Sequence, residues 1–464
     1  MNGNKSQLHP LHDTWIPPSS QIKAGMVQRK ISPPLGIRTG NWGAARSQVS
    51  DGFHKEITTT VLCMLAENKL PHFLISVDWG WWQSKVDDLA IRGEVIRELQ
   101  INEDQLFFHL THTHAGPTTA SDVANLPGGE RVDEYHQKST QEIISACREA
   151  LKISETVNIN WAYGKCDLAT NRDLPCLGED LLGFNPGETA DDTLAVGRIV
   201  NTKGLMLGTI VNYACHPTTL AWENQKVSPD FVGEARDIIQ KHTSAPMLFL
   251  QGASGDLGPR DGFTGDTAIA DKNGRVIAYA VLSTIENMPE PGMKYRFGNS
   301  VDSGALLAVW KKEPIDSKSS AISSRIDVKV PLQKLPTIEE LEIKWKDIDP
   351  GARETRISRA MKLRSGYVTG ESAYHPVWMW LWGDAIIVGQ PGEMYSKFQM
   401  ELRRRHPERV ILILNCTNGP GYMYFPTPEA YERMRYQSWQ SLVAAGALEK
   451  VLEATDLLIS ENIK

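Results

Sequence analysis

The sequence predicts an α/β protein in which a mixed β-sheet is layered with helices, and three observations carry that prediction. Short runs rich in β-branched and aromatic residues, bordered by Gly, Pro, Asn or Asp, alternate with helical stretches along the 464-residue chain. Two pairs of these runs are joined by tight turns, at Thr202-Lys203-Gly204 and Gly383-Asp384, so hairpins interrupt any purely parallel order. Hydrophobic residues make up 41% and charged residues 23%, the balance of a chain that buries a sizeable core.

In chain order, strands are expected at 57–66, 72–78, 105–112, 156–164, 194–201, 205–214, 246–251, 323–331, 375–382, 384–389 and 409–415. Helices are expected at 85–99, 132–152, 229–242, 264–286, 337–348, 352–364, 394–405 and 429–456. Ser228-Pro229-Asp230 and Pro336-Thr337-Ile338-Glu339-Glu340 supply start signals for two of them. Residues 288–322 read as a linker or excursion. The chain is still assigned one domain, 30–456, with an extension at 1–29 and a tail at 457–464, because the chemically suggestive residues lie on both sides of that segment.

The charge sum, 49 − 56 = −7, gives no reason to expect nucleic acid as a partner. No apolar run approaches the roughly 18 residues of a membrane span, and the polar N-terminus does not read as a secretion signal, so a cytoplasmic location is expected. The six cysteines form no Cys-x-x-Cys pair and sit mostly in apolar surroundings, the pattern of buried reduced thiols. Oligomeric state is not legible.

The histidines are ordinary in number, twelve, but they cluster. Within Phe107-Phe108-His109-Leu110-Thr111-His112-Thr113-His114-Ala115-Gly116-Pro117, a period of two puts His112 and His114 on one strand face and His109 on the other. The Gly-Pro stop places that face at a strand end, where α/β sheets hold their ligands. Two imidazoles there bind one metal, or a metal and a substrate; the alternative is a hydrogen-bonded polar pair in a turn. Val211-Asn212-Tyr213-Ala214-Cys215-His216-Pro217 delivers His216 to a Pro break in the same way, as a ligand or as a satisfied core histidine. The run 384–389 leads to Glu393 at the mouth of the next helix, a position the helix dipole alone also favours. Asn415 to Tyr424 follow a further strand as a glycine-rich aromatic loop.

Taken together and in order, these pieces resemble the catalytic domain of the neutral/alkaline non-lysosomal ceramidase family over about residues 30–440. Ile31-Ser32-Pro33-Pro34-Leu35-Gly36 is similar to that domain's opening, and Thr111-His112-Thr113-His114-Ala115-Gly116-Pro117 to its THTHSGP motif. Asn171-Arg172, Ala214-Cys215-His216-Pro217-Thr218, Gly252-Ala253-Ser254-Gly255-Asp256 and Pro391-Gly392-Glu393 match further motifs. Gly421-Tyr422-Met423-Tyr424, with Tyr431 and Tyr436, resembles the closing tyrosine block. The resemblance implies a ceramidase-like fold holding one Zn2+ through His112, His216, Glu393 and Tyr424. Such a set suits a borderline cation, whose charge would hold the phenol deprotonated. It also implies an active-site surround. His114 would bond a carbonyl oxygen or carry a proton, Tyr436 would stabilise an oxyanion, and Arg172 would donate to a polar or anionic substrate group. Tyr436 otherwise reads as a helix-core residue and Arg172 as half of an ion pair.

The sequence also departs from the family. Gly258 stands where a family serine implicated in catalysis would be; Ser254 is the nearest substitute and otherwise reads as turn chemistry. The resemblance runs to the tyrosine block, and the family's C-terminal immunoglobulin-like domain is expected to be missing. Trp79, Trp81 and Trp82, at a strand end, are candidates for a pocket that takes a ring-shaped or lipid group, whereas Trp378, Trp380 and Trp382 alternate as core residues do. Asp256 is the nearest carboxylate for a general base and equally a turn cap. The leading expectation is a zinc hydrolase cleaving a linear amide C–N bond in a small-molecule substrate, an N-acyl amide or glycoconjugate smaller or more polar than ceramide. The alternatives are a zinc esterase, a carbohydrate hydrolase or lyase, and an inactive metal-bound protein that binds a sugar or lipid. The missing serine favours the last; the retained His114, Arg172 and Tyr436 oppose it.

Overall fold

A computed structural model describes residues 10–42, 44–65, 70–315, 321–369, 372–419 and 423–463. Two sheets stack face to face. The larger has eight strands in the order Met247–Gln251, Met206–Tyr213, Thr193–Asn201, Glu155–Lys165, Ser19–Lys30, Thr58–Leu65, Pro71–Val77 and Leu106–Leu110. Its middle is antiparallel and its two outermost pairs are parallel, so it is mixed, as expected. The smaller runs Ala321–Pro331, Ser372–Trp382, Ala385–Gly389, Val410–Leu414, the last pair parallel, with Val368–Thr369 beside the second strand.

Alternation along the strands sorts the side chains into layers. Leu62, Leu74, Phe107, Leu248 and Leu250 of the large sheet meet Trp378, Trp380, Trp382, Ile387 and Leu412 of the small one in a single core. Phe107 and Trp380 stack with ring centroids 4.1 Å apart. Ten α-helices occur among the described residues: α1 Lys85–Leu99, α2 Val132–Lys152, α3 Phe231–Thr243, α4 Thr267–Asn287, α5 Ile338–Lys344, α6 Pro350–Tyr367, α7 Ser396–Arg405, α8 Pro428–Glu432, α9 Tyr436–Gln440 and α10 Ala447–Asn462. α1 and α2 cover one half of the large sheet's outer face, α3 and α4 the other half, and α7 and α10 the outer face of the small sheet. The result is an α/β/β/α stack.

Two sequence expectations need correction here. Ser19–Lys30, read as part of an extension, is a twelve-residue strand inside the large sheet. Ile22, Ala24 and Met26 face the inter-sheet core, and a Cβ on Gly25 would fall 2.2 Å from the Ala150 carbonyl, so only glycine lets α2 lie so close. The expected helix 429–456 is three helices. Met434 (φ 49°) ends the first turn run and Gly446 (φ 88°) starts the last, both left-handed positions that a continuous helix excludes. Residues 288–314 form a hairpin, Met293–Asp302 with Leu306–Pro314, that pairs with Thr14–Trp15 apart from the main stack.

Candidate metal centre

The site forms where parallel strands end. Pro71–Val77 and Leu106–Leu110 run together, as do Met206–Tyr213 with Met247–Gln251 and Ala385–Gly389 with Val410–Leu414. Each pair releases its chain into a loop at its carboxyl end, the place where open sheets leave backbone groups free for ligands. His109 ties these ends together. Its Nδ1–H donates to the Asn415 carbonyl (3.0 Å), and its Nε2 accepts the Gln251 backbone N–H (2.9 Å). Burial pulls its pKa down to about 3, so it stays neutral in both bonds.

The strand stops at Leu110, so His112 and His114 do not share a strand face; they sit in the loop beyond it. His112 adopts φ 68°, the left-handed region, held there by its N–H to the Trp79 carbonyl (2.9 Å) and by Nδ1–H to the Gly80 carbonyl (3.0 Å). Cys416 Sγ lies 3.3 Å from the same nitrogen. His216 follows the strand Met206–Tyr213 and donates its Nδ1–H to the Ser254 carbonyl (3.1 Å). Glu393 and Tyr424 are opposite each other in a two-residue parallel ladder, Glu393–Met394 with Tyr424–Phe425. That ladder brings together residues 31 positions apart (424 − 393) and explains why Glu393 precedes α7 rather than opening it.

These anchors fix the tautomers. With both Nδ1 atoms protonated, the Nε2 atoms of His112 and His216 are lone-pair acceptors, yet they face each other at 2.9 Å. Glu393 Oε2 completes a triangle, 3.3 Å from one and 3.4 Å from the other, and has no hydrogen-bond donor. Three acceptors at such spacing repel unless a positive charge sits between them. Donors about 2.0–2.2 Å from one tetrahedral ion are about 3.3 Å from each other, so the triangle fits zinc. Although burial opposes charging His112, Cys416 and Glu393 outweigh it and raise its pKa well above the ordinary value. The cluster thus favours a cation at its centre, a proton or a metal. His216 and His114 are driven the other way, by burial first and then by Arg172 and His112, and remain neutral. The ligating atoms of His112, His114 and His216 lie within 4.8 Å of one another, so His114 is geometrically available as a further ligand. Its Nδ1–H donates to the Asn41 carbonyl (3.2 Å), and its buried Nε2 has no partner.

A cavity of about 200 Å³ opens above the cluster, lined by His114, His216, Arg172, Tyr424 and Tyr436. Clefts of about 630 and 940 Å³ elsewhere hold none of these groups. Arg172 is buried; its Nη2 donates to the Gly255 carbonyl (2.8 Å) and to the Tyr424 hydroxyl (3.3 Å). Burial and Glu393 push the Tyr424 phenol well up, against the pull of Arg172. A phenolate here therefore needs a cation beyond Arg172. Tyr436 opens α9, half-buried, its ring 6.0 Å from that of Tyr424.

Other expected site residues fall elsewhere. Trp79 and Trp82 belong to the core under α1 and α2, and the Trp79 indole N–H is taken by the Tyr135 hydroxyl (2.8 Å). Only Trp81 approaches the cluster, its ring 5.5 Å from that of His112 and 4.9 Å from that of His114. Asp256 caps α7, accepting the Ser396 N–H (2.6 Å) and Oγ–H (2.7 Å), so it does not face the cavity as a base. Ser254 gives its carbonyl to His216, and its hydroxyl receives Gln251 Nε2 (2.6 Å). Gly258 does lie beside Arg172: a Cβ there would stand 3.5 Å from Arg172 Cδ and 3.9 Å from Thr218 Oγ1. The Tyr431 hydroxyl donates to the Val443 carbonyl, a structural role. Residues 420–422 of the tyrosine block lie outside the described residues. The sequence reading missed Asn41, Trp42, Phe263, Arg356 and Arg359, which line the cavity rim. Trp42 and Asn41 lie in irregular chain, and the arginines belong to α6, where a charged helix face reads as solvated.

Solved ceramidases share this mixed two-sheet fold. The crystal structure of neutral ceramidase from Pseudomonas aeruginosa superposes with a TM-score of 0.67 at 14% identity, over 95% of this chain and 74% of that one. A ceramidase complexed with C2 gives 0.66, also at 14% identity, over 96% and 76%. No protein-family model matches the sequence, and no curated protein matches it. The likeness is one of fold.

Proposed function

We propose that this protein is a zinc-dependent hydrolase of small-molecule amides, with His112, His216, Glu393 and Tyr424 as the ligand set. The observation that carries the reading is the triangle of His112 Nε2, His216 Nε2 and Glu393 Oε2, with sides of 2.9, 3.3 and 3.4 Å, at the floor of a polar cavity on a fold shared with ceramidases. Zinc, when bound, supplies the Lewis acidity that activates water and polarises a carbonyl. In the reaction, the oxygen of water becomes the second oxygen of the released acid. The C–N bond breaks, and a proton passes to the leaving amine. His114 would carry that proton: its Nδ1 is anchored on Asn41 and its buried Nε2 has no hydrogen-bond partner. Arg172 orients the Tyr424 hydroxyl and, with Tyr436, faces the oxygen on which negative charge develops. A cavity below the roughly 300–1,000 Å³ of drug-sized sites suits a compact substrate better than a long-chain lipid.

The test is elemental analysis combined with a screen of matched N-acyl amides, esters and glycosides, before and after chelation. Amide turnover that chelation abolishes and zinc restores supports the reading. Zinc uptake below about half an equivalent after loading sinks it. Turnover of esters or glycosides alone moves the bond type. Gly258, in place of a hydroxyl beside Arg172, favours a second reading, a metal-bound binding protein. That reading requires ligand binding without turnover in the zinc-loaded wild type.

A further inference from the structure

The cavity wall above the cluster holds three guanidinium groups and no carboxylate among its described lining residues: Arg172 from the buried floor, and Arg356 and Arg359 from one face of α6. Like charges three residues apart on a helix oppose its stability. Arg356 has no carboxylate partner within ion-pair distance among the described residues; it is steadied by stacking on Trp345 and Trp439, with its Cζ 5.7 and 5.1 Å from the two rings. The nearby acid on α6, Glu354, is exposed and acts on Arg38 instead. After burial, which raises the Tyr436 phenol, Arg359, Arg172 and Arg356 all pull it down against the single opposing carboxylate of Glu393, so three positive fields and one negative field meet at that hydroxyl.

A second, independent feature adds an acceptor. Asn41, 3% exposed, donates from Nδ2 to the Gly116 carbonyl (2.9 Å) and the Pro117 carbonyl (3.4 Å), which fixes which way its amide points. Its Oδ1 is buried with no donor, in a residue that lines the cavity. A buried acceptor left empty is destabilising, and a ligand N–H would relieve that.

We infer, on the amide-hydrolase reading above, that the substrate is a small secondary amide carrying a carboxylate near the scissile bond, an N-acyl amino acid in chemical class. The carboxylate would lie against Arg356 and Arg359, and the amide N–H would donate to Asn41 Oδ1. A guanidinium pair recognises a carboxylate by parallel charge-assisted bonds, and an aromatic rim of Trp42 and Phe263 covers the remaining apolar surface. This sets the site apart from one for a neutral lipid amide.

The test is binding to the full chain without zinc, where turnover does not intrude, with three probes: N-acetylglycine, N-acetylglycinamide, which lacks the carboxylate, and N-acetylsarcosine, which lacks the N–H. N-acetylglycine should bind about tenfold or more tightly than either analogue by calorimetry or ligand-observed NMR. Sulfate should compete with N-acetylglycine and not with the glycinamide. The double variant Arg356→Gln/Arg359→Gln should erase the carboxylate's advantage. Equal affinities for all three probes, or no competition by sulfate in the wild type, overturns the inference whether or not the double variant folds. Turnover separates the two claims. Zinc-loaded protein that binds in the expected order but hydrolyses no amide refutes the hydrolase reading alone. Protein that cleaves the glycinamide as well as N-acetylglycine, with equal affinities, refutes the anionic substrate alone.

Discussion

Replacing Glu393 by Gln tests the cluster at its one negative charge. The substitution keeps the side chain's size and one oxygen while removing the charge, at a position only 4% exposed. With an effective dielectric of about 20, a unit positive charge 3.3 Å from the carboxylate, the His112 separation, is worth about 5 kcal/mol. Part of that is offset because an amide is easier to bury than a carboxylate. The net loss is then near the about 3–5 kcal/mol found when one partner of a buried charge pair is removed. At about 1.4 kcal/mol per tenfold, zinc affinity should fall by about two to three orders of magnitude. Competition against a chromogenic chelator at fixed pH measures this directly, with Glu393→Asp as the charge-preserving control. Thermal unfolding of both metal-free proteins checks that the fold is kept. A Glu393→Gln variant that holds zinc within about threefold of the wild type would show that the carboxylate is no part of the ion's shell.

Three further perturbations follow from the same contacts. Gly258→Ser has room for its side chain, the nearest atom to its Cβ being Arg172 Cδ at 3.5 Å. Stability in urea should stay within about 1 kcal/mol of the wild type while amide kcat/KM rises, and a loss of about 3 kcal/mol would mean that the short strand Leu257–Pro259 does not admit it. His109→Ala strands the buried Gln251 N–H, worth about 1–3 kcal/mol when unpaired, while the Asn415 carbonyl keeps the Thr417 hydroxyl, so stability should fall by about 1–3 kcal/mol. A loss under about 1 kcal/mol would refute its role as a brace. Asp256 has its carboxyl raised by burial from 3.8 to about 6 in the fold, so the folded state holds an extra proton between those values and that stabilisation is lost as pH rises through 6. Between pH 5 and pH 7 the wild type should lose about 1 kcal/mol from this group, whereas Asp256→Asn loses that much less, the part due to Asp230, also raised to about 6, being common to both; parallel profiles in urea would refute the assignment.

Much of the fold was legible because buried strands such as Leu106–Leu110, apolar but for His109, and Val410–Leu414 are short and bounded by polar turns. Ser19–Lys30 was not, because its outward residues are polar and its central glycine is explained only by the helix packed on it. The sequence grouped His112 with His114 for a geometrically wrong reason. Period-two alternation put His112 and His114 on a strand, whereas a left-handed turn at His112 throws both into the loop. The pairing of Glu393 with Tyr424 depends on a two-residue ladder that no local pattern announces. Trp79, Trp81 and Trp82 show the converse. The sequence treats them alike, yet Trp79 and Trp82 point into the core beneath α1 and α2, and Trp81 alone turns toward the imidazoles. The α6 arginines are charged residues on a helix, and only the tertiary fold turns them toward a cavity.

What separates a structural histidine from a chemical one in this molecule is the second nitrogen. His109, His112 and His216 are all buried, and each gives its Nδ1–H to a backbone carbonyl, so burial and tautomer are the same for the three. At His109 the Nε2 lone pair receives the Gln251 N–H, and the residue's bonding is closed. At His112 and His216 the corresponding lone pairs meet each other and an unbonded carboxylate oxygen, at separations that no hydrogen bond among three acceptors can satisfy. Folding therefore pays into this one place an electrostatic conflict that the surrounding carbonyls prevent from relaxing, since rotating either ring would break its Nδ1 bond. Only a positive charge at the centre resolves it, and a divalent ion does so with all three lone pairs at once, where a single proton serves two. The backbone carbonyls of Gly80 and Ser254 thereby fix the point at which a cation would be held.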